Sequence, residues 1–243
     1  MRILDLGDTA FTVEFGDRID PALQAQVNGL DAALRAAAES GRMPGVVELV
    51  PTFRSLTVIV DPIIADRTAI QALVGECLDR AHTAEAVPSR RWRLPVVYGG
   101  ADGPDLAAVA QAAGMAPEAV IERHTAQDYV VYMLGFLPGF PFMGDVPTKL
   151  RLPRRTEPRV RVPAGSVAIA NGMTAIYPWE SPGGWHLLGR CPAPLFDASR
   201  TVPALLAAGD RVGFEAVGTE AMADIEADLA AGRLDPSAWQ VSP

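Results

Sequence analysis

In an otherwise acidic chain, the span "LRLPRRTEPRVRVP" gathers Arg151, Arg154, Arg155, Arg159 and Arg161. Arginine presents a rigid fork of N–H donors matched to carboxylates and phosphates. The alternation in "RVRV" places Arg159 and Arg161 on one strand face and Val160 and Val162 on the other. An anion clamp or a docking patch has this composition; so does a solvated rim whose arginines pair with Glu157 and other surface carboxylates. A second span, "SPGGWHLLGRCP", holds Ser181, Gly183, Gly184, Trp185 and His186. Paired glycines let a backbone approach a ligand or turn tightly, Trp185 offers a broad apolar face with one donor, and His186 is a candidate acid or base. A strand connection with Trp185 in the core and His186 simply hydrogen-bonded satisfies the same letters.

Three further places carry polar or aromatic groups in suggestive patterns. "IERHTAQDYVVYM" sets His124 four residues ahead of Asp128, a spacing that brings imidazole and carboxylate together if the helix continues, while a histidine near a helix C-terminus also interacts with the macrodipole. "VPAGSVAIANGMTAIYP" supplies Ser166, Asn171, Thr174 and Tyr177 around a turn, although hairpin chemistry accounts for Asn171-Gly172 without a ligand. In "GFLPGFPFMGDVP", Phe136, Phe140 and Phe142 alternate with glycines and prolines that exclude a helix or a central strand. Apolar side chains on such a path cap a core or line a pocket.

Absences narrow the class. The chain has no G-x-x-x-x-G-K-[ST] loop, no G-x-G-x-x-G turn after a strand, no H-E-x-x-H and no G-x-S-x-G elbow. Cys77 and Cys191 stand alone, without zinc spacing or a disulfide framework, so no metal site is expected. A net charge of −8 and a pI near 4.9 oppose nucleic-acid and anionic-membrane binding. With 49% apolar and 21% charged residues, and no run long enough to span a bilayer, an ordered soluble protein is expected. Asp5 and Asp8 stand where a signal peptide needs an apolar stretch, which predicts a cytoplasmic location.

The elements that must hold these groups fall into two expected domains, residues 1–90 and 91–243. The first reads as two similar passes: a hairpin around Gly7-Asp8, a helix with Leu23, Val27, Leu30 and Leu34 on one face after Asp20-Pro21, two β-rich runs, a helix capped from Asp66, and a closing strand "RWRLPVVYG". This predicts an α+β domain close to the ferredoxin-like βαββαβ type. After Gly99-Gly100 come short helices at about 102–126, then short strands with regular turn signals that predict a barrel or sandwich, one possible helix in "TVPALLAAG", and an acidic C-terminal helix.

Taken in order, "GDTAFTVEFGDRIDPALQAQV", "HTAQDYVVYMLGFLPGF", "LPRRTEPRVRVPAGSVAIA", "TAIYPWESPGGWHLLGR", "PLFD" and "LLAAGDRVGF" closely resemble the KipI and allophanate hydrolase subunit 1 family over nearly the whole chain. The pattern is departed from at Met173, Ala175 and Cys191, where the family commonly has glutamine, glycine and threonine. The resemblance implies a cyclophilin-like barrel after the α+β domain, and dependence on an allophanate hydrolase subunit 2 relative (PxpC) and a LamB/YcsF-type subunit (PxpA). It implies a heteromeric ATP-dependent 5-oxoprolinase in which this chain builds half of a shared site, with ATP used by the complex and no cofactor bound by this chain alone. In that half-site His124, His186 and Arg155 are the expected catalytic groups. Phe136, Phe140, Arg154, Arg159, Ser166, Tyr177, Ser181, Gly183, Gly184 and Trp185 are expected to bind substrate. Two other family roles remain open at this point: inhibition of a histidine kinase, and the carboxyltransferase half of a urea carboxylase or allophanate hydrolase system.

Overall fold

The computed structural model describes residues 1–81 and 89–241. The chain divides into two compact units, Met1–Pro88 and Ser89–Pro243.

The first unit runs β1 (Arg2–Asp5), β2 (Ala10–Glu14), α1 (Pro21–Glu39), β3 (Val46–Pro51), β4 (Ser55–Val60) and α2 (Arg67–Ala81). Gly7, at φ 66°, turns the chain between β1 and β2. The four strands pair antiparallel in the order β1-β2-β4-β3. Alternation in β4 turns Leu56, Val58 and Val60 inward, where they meet Phe11 and Val13 of β2 and the Val27, Leu30, Leu34 face of α1. Asp20 caps α1 by accepting from the Ala22 N–H, and Asp66 accepts from the Ala69 N–H at the start of α2. The two passes are therefore β-β-α repeated, which departs from the expected βαββαβ order. The opening hairpin contributes two strands rather than one, and the strand expected to close the domain belongs to the second unit.

That strand is β5 (Arg91–Tyr98), followed by α3 (Leu106–Ala113), α4 (Pro117–Thr125), β6 (Tyr129–Leu134), β7 (Pro141–Gly144), β8 (Arg159–Val162), β9 (Ser166–Ala170), β10 (Met173–Ile176), β11 (Ser181–Gly183), β12 (His186–Arg190), β13 (Arg211–Ala216), α5 (Thr219–Ala230) and β14 (Gln240–Val241). Leu94 to Val97 are buried in succession, the pattern of a strand covered on both faces. β5 runs parallel to β13 from Arg91 to Val96, while its far edge pairs with β14 at Arg91 and Trp92 and with β12 at Val97 and Tyr98. Those last two pairs close the order β12-β9-β10-β7-β6-β13-β5 into a seven-stranded barrel of mixed direction. The core inside it includes Trp92, Leu94, Tyr129, Val131, Ile169, Ile176, Leu188 and Phe214. β8 and β11 form a separate two-stranded ribbon. "TVPALLAAG" is not a helix: Ala204 bridges to Phe196, the Leu205 N–H bonds the Leu195 carbonyl, and Leu205 and Leu206 fill the core from turns.

Candidate functional site

The aromatic loop between β6 and β7 feeds a second, smaller core of the barrel unit. Phe140 is buried there with Val162, Ala168, Ala170, Ala175, Tyr177, Trp185 and Leu187, and Leu137, Phe142 and Met173 flank it. The Phe140 ring meets Tyr177 edge-on at 5.0 Å and Trp185 at 6.2 Å, and Phe142 lies 4.9 Å from Phe140. Two of the residues that depart from the family pattern lie in or beside this cluster, Ala175 inside it and Met173 against it. Phe136 differs from its neighbours: it is 63% exposed, sits at φ 69° and packs edge-on against Phe140 at 5.4 Å. A left-handed backbone at a bulky residue costs about 1–2 kcal/mol, so the loop pays to present this ring outward.

The arginine span is laid along the "SPGGWH" stretch by backbone bonds. The Arg155 N–H donates to the Gly184 carbonyl (2.8 Å), His186 donates from Nε2 to the Pro153 carbonyl (2.9 Å), and β8 pairs with β11 through Ser181–Val162 and Gly183–Arg159. Gly183 is glycine for space: a Cβ there would stand 2.4 Å from the Tyr177 hydroxyl.

Asp105 organises the arginines, and the sequence did not single it out. It reads as the N-cap of α3, yet its side chain makes no capping bond. Instead Oδ1 accepts from Arg155 Nη1 (3.0 Å) and Arg159 Nη2 (2.7 Å), and Oδ2 from Arg159 Nη1 (2.8 Å) and the Leu187 N–H (2.7 Å). Burial alone would raise the Asp105 carboxyl, but the Arg159 bond, the Leu187 N–H and the charges of Arg159 and Arg155 outweigh it and hold the group below the usual carboxylate range. Arg155 and Arg159 therefore grip an internal carboxylate rather than standing open, which corrects the picture of a free clamp. Two guanidinium groups on one carboxylate still leave a local positive charge. Of the other arginines, Arg161 pairs with Glu180, and Arg151 donates weakly to the Val146 carbonyl. Arg154 is exposed and makes no hydrogen bond or ion pair among the described residues, and its charge, like that of Arg159, bears on the Tyr177 phenol.

Three donors beside this strip are nearly buried and unpaired. As residues, Tyr177 is 2% exposed, Trp185 4% and Ser181 8%; the Ser181 hydroxyl is sealed from solvent without a hydrogen bond, whereas the Tyr177 phenol and the Trp185 indole N–H make no hydrogen bond among the described residues but keep contact with solvent. Desolvation raises the Tyr177 phenol above its ordinary value, with Arg154 and Arg159 opposing the rise. Two other buried polar atoms without a hydrogen bond, Asp31 Oδ1 and Arg91 Nε, belong to groups that are already ion-paired, to Arg35 and Asp128. Ser181 has no such partner.

His124 is elsewhere. It is fully buried inside the barrel, stacked on Phe214 at 4.8 Å, and both ring nitrogens are held. The Thr174 hydroxyl donates to the Ala168 carbonyl (3.1 Å), so it accepts from His124 Nε2 (2.9 Å), and Nδ1 accepts from the Tyr98 hydroxyl (2.7 Å). Burial drives the imidazole down to about 3. A neutral, sealed imidazole has no route to a substrate, which removes His124 as a catalytic proton carrier. The suggested partnership with Asp128 fails as well: α4 ends at Thr125, and Asp128 pairs with Arg91 (2.6 Å) and Arg93 (3.7 Å). Ser166, buried at the start of β9, pairs in register with Arg190 of β12, apart from the Ser181–Val162 pair of the ribbon.

The structure thus gathers Phe140, Tyr177, Ser181, Gly183, Gly184, Trp185, His186, Arg154, Arg155 and Arg159 along one strip. Phe136 stands at the edge of its aromatic cluster, and His124 lies inside the barrel. The family model for the carboxyltransferase domain, subdomain C and D, matches residues 1–206. A 5-oxoprolinase B subunit from Bacillus subtilis is 42% identical over 223 residues, covering 88% of this chain and 91% of that protein. The Escherichia coli O157:H7 protein of the same name is 43% identical over 213 residues, covering 86% and 93%. Among solved structures, TTHA0988 superposes with a TM-score of 0.74 at 38% identity over 86% of this chain, which spans 40% of that one. The Kluyveromyces lactis urea carboxylase matches at a TM-score of 0.73 over 96% of this chain and 23% of its own; at 20% identity this is a likeness of fold. The chain therefore belongs to the family defined by subdomains C and D of the carboxyltransferase domain, as a relative of the 5-oxoprolinase B subunits.

Proposed function

We propose that this chain is the B subunit of a heteromeric, ATP-dependent 5-oxoprolinase that opens 5-oxo-L-proline to L-glutamate. The observation that carries the reading is the 42–43% identity to proteins of that name along nearly their full length and most of this one. The net change adds one water across the ring amide: the C–N bond breaks, and a carboxylate and an amine appear, coupled to conversion of ATP to ADP and phosphate. No phosphate-binding loop occurs in this sequence, so ATP is assigned to the complex, with the allophanate hydrolase subunit 2 relative and the LamB/YcsF-type subunit as the partners. On this reading the chain contributes one wall of a shared site and is inactive alone. Its part is positioning and charge stabilisation, with the arginine strip holding anionic groups and His186 moving a proton. The outward Phe136 ring suits a loop finished by a second polypeptide. No described helix is long and apolar enough to cross a membrane, and the two buried cysteines, Cys77 and Cys191, suit the reducing cytoplasm, where we place the protein.

Purified alone and together with the two partners, the chain is expected to support ATP-dependent glutamate release from 5-oxo-L-proline only in the assembly. Full activity from the isolated chain would reject the shared site, and no glutamate from the assembly would reject the reaction.

A further inference from the structure

The three unpaired donors share one place. Ser181 is the register partner of Val162, and residues opposed in an antiparallel pair point to the same face, so the serine side chain turns with Val162 toward the Phe140 cluster. Gly183 pairs with Arg159 across a register shift, and the space its missing Cβ leaves is where the Tyr177 hydroxyl stands. Trp185 joins the cluster through Phe140. The bond from the His186 side chain to the Pro153 carbonyl and that from the Arg155 N–H to the Gly184 carbonyl bracket Arg154, the arginine left without an anionic partner. Buried polar groups are almost always hydrogen-bonded, so the sealed Ser181 hydroxyl, with two more unbonded donors at the solvent edge beside it, marks a place shaped for acceptors not supplied by the chain.

The geometry points to a substrate subsite for a lactam acid: Arg154 takes the carboxylate, and Tyr177, Ser181 and Trp185 donate to the ring amide carbonyl. The assignment rests on the 5-oxoprolinase reading for the choice of ligand. The chemistry it requires is narrower than anionic attraction, because every protein group but the arginine would recognise a neutral carbonyl. Arg155 and Arg159, tied to Asp105, hold the strip in place and keep it positive rather than binding the acid themselves.

The test follows the Trp185 indole N–H resonance of the 15N-labelled full chain, alone and in the assembly, identified by its disappearance in Trp185→Phe. 5-Oxo-L-proline is expected to move it saturably, with 2-pyrrolidone, which lacks the carboxylate, binding at least tenfold more weakly. Arg154→Gln, at an exposed position, is expected to erase that preference, and Tyr177→Phe to weaken both ligands about fivefold to tenfold. An unmoved resonance in both preparations overturns the subsite. So does an unchanged acid preference in Arg154→Gln, or acetate saturating the shift as readily as the lactam acid, which would mean an adventitious anion only. The two proposals separate cleanly. If the assembly hydrolyses 5-oxo-L-proline and its Arg154→Gln form keeps the wild-type KM, the subsite is wrong and the reaction stands. If the assembly releases no glutamate while the acid-selective shift is present, the reaction is wrong and the subsite stands.

Discussion

Two groups of buried polar side chains in the barrel unit are made of the same residue types and differ in one respect. Inside the barrel, Tyr98 donates to His124, His124 to Thr174 and Thr174 to a carbonyl, Tyr129 donates to the His124 carbonyl, and the Trp92 indole donates to Asp210. Beside the β8–β11 ribbon, Tyr177, Ser181 and Trp185 are nearly buried as residues, and their donors have no partner among the described residues, the Ser181 hydroxyl being sealed from solvent as well. The other three tyrosine hydroxyls are all bonded, Tyr132 to Asp145. The residues are similarly buried on both sides; completion of the hydrogen bonds separates a group that holds the fold from one that waits for a ligand.

The largest effect belongs to the completed side. Asp210 is buried and accepts from Arg90 Nε and Nη2, the Trp92 indole and the Ala207 N–H, at 2.6–3.0 Å. Asp210→Ala removes all four acceptor bonds and strands two donors, so it is expected to lower unfolding free energy by about 3–5 kcal/mol in denaturant titrations of the full chain. A loss below about 1 kcal/mol would mean that the interior network is not what holds the barrel.

His124 provides the next effect and a different handle. Its ordinary value of 6.5 falls to about 3 in the fold, so below pH 6.5 the unfolded chain takes up a proton that the folded one refuses. The stability is complete above pH 6.5 and drains as pH falls, by about 1.4 kcal/mol per pH unit for this one group. Unfolding curves between about pH 6.5 and 5 are expected to be shallower in pH dependence by close to one proton in His124→Asn than in wild type, even though the variant is less stable throughout. Equal slopes would mean the imidazole is not sealed.

Gly183→Ala probes the other side. The added methyl would meet the Tyr177 hydroxyl at 2.4 Å, and overpacking of this kind costs about 1–3 kcal/mol. Combining it with Tyr177→Phe removes the obstructing oxygen, so the double variant is expected to regain most of the loss. Failure of that rescue would place the Gly183 requirement in the backbone and detach it from the phenol.

Much of this arrangement could be read from the chain before its structure. The glycine and proline punctuation from Tyr129 onward announced short strands and "GFLPG" an irregular turn, because those residues act locally, but Pro141–Gly144, expected to be barred from a central strand, forms β7 between β6 and β10. What escaped depends on non-local pairing. Arg91–Tyr98 reads as a strand in either unit, and its place beside β13 is set by contacts more than a hundred residues away in sequence. Asp105 carries a perfect local signal for a helix cap, which hid its use as an arginine anchor. His124 and Asp128 have helical spacing, but the helix stops between them. Nothing in the letters of Tyr177 distinguishes it from Tyr129, since a missing partner leaves no mark in sequence.

That last pair supplies the smallest effect and the sharpest one. Tyr129 and Tyr177 are both essentially buried, at 0% and 2% exposure, and a phenylalanine fills either space with one oxygen fewer. Tyr129→Phe breaks the bond to the His124 carbonyl and is expected to cost about 1 kcal/mol. Tyr177→Phe breaks no protein bond among the described residues, so its stability is expected to stay within about 0.5 kcal/mol of wild type. Paired melts of the two variants decide the matter on the same protein under the same conditions. Equal losses would mean that Tyr177 has a structural partner after all and that the ribbon is ordinary core. A silent Tyr177→Phe that nonetheless weakens lactam-acid binding would place the value of that hydroxyl outside the fold, in whatever the strip of arginines and rings is built to receive.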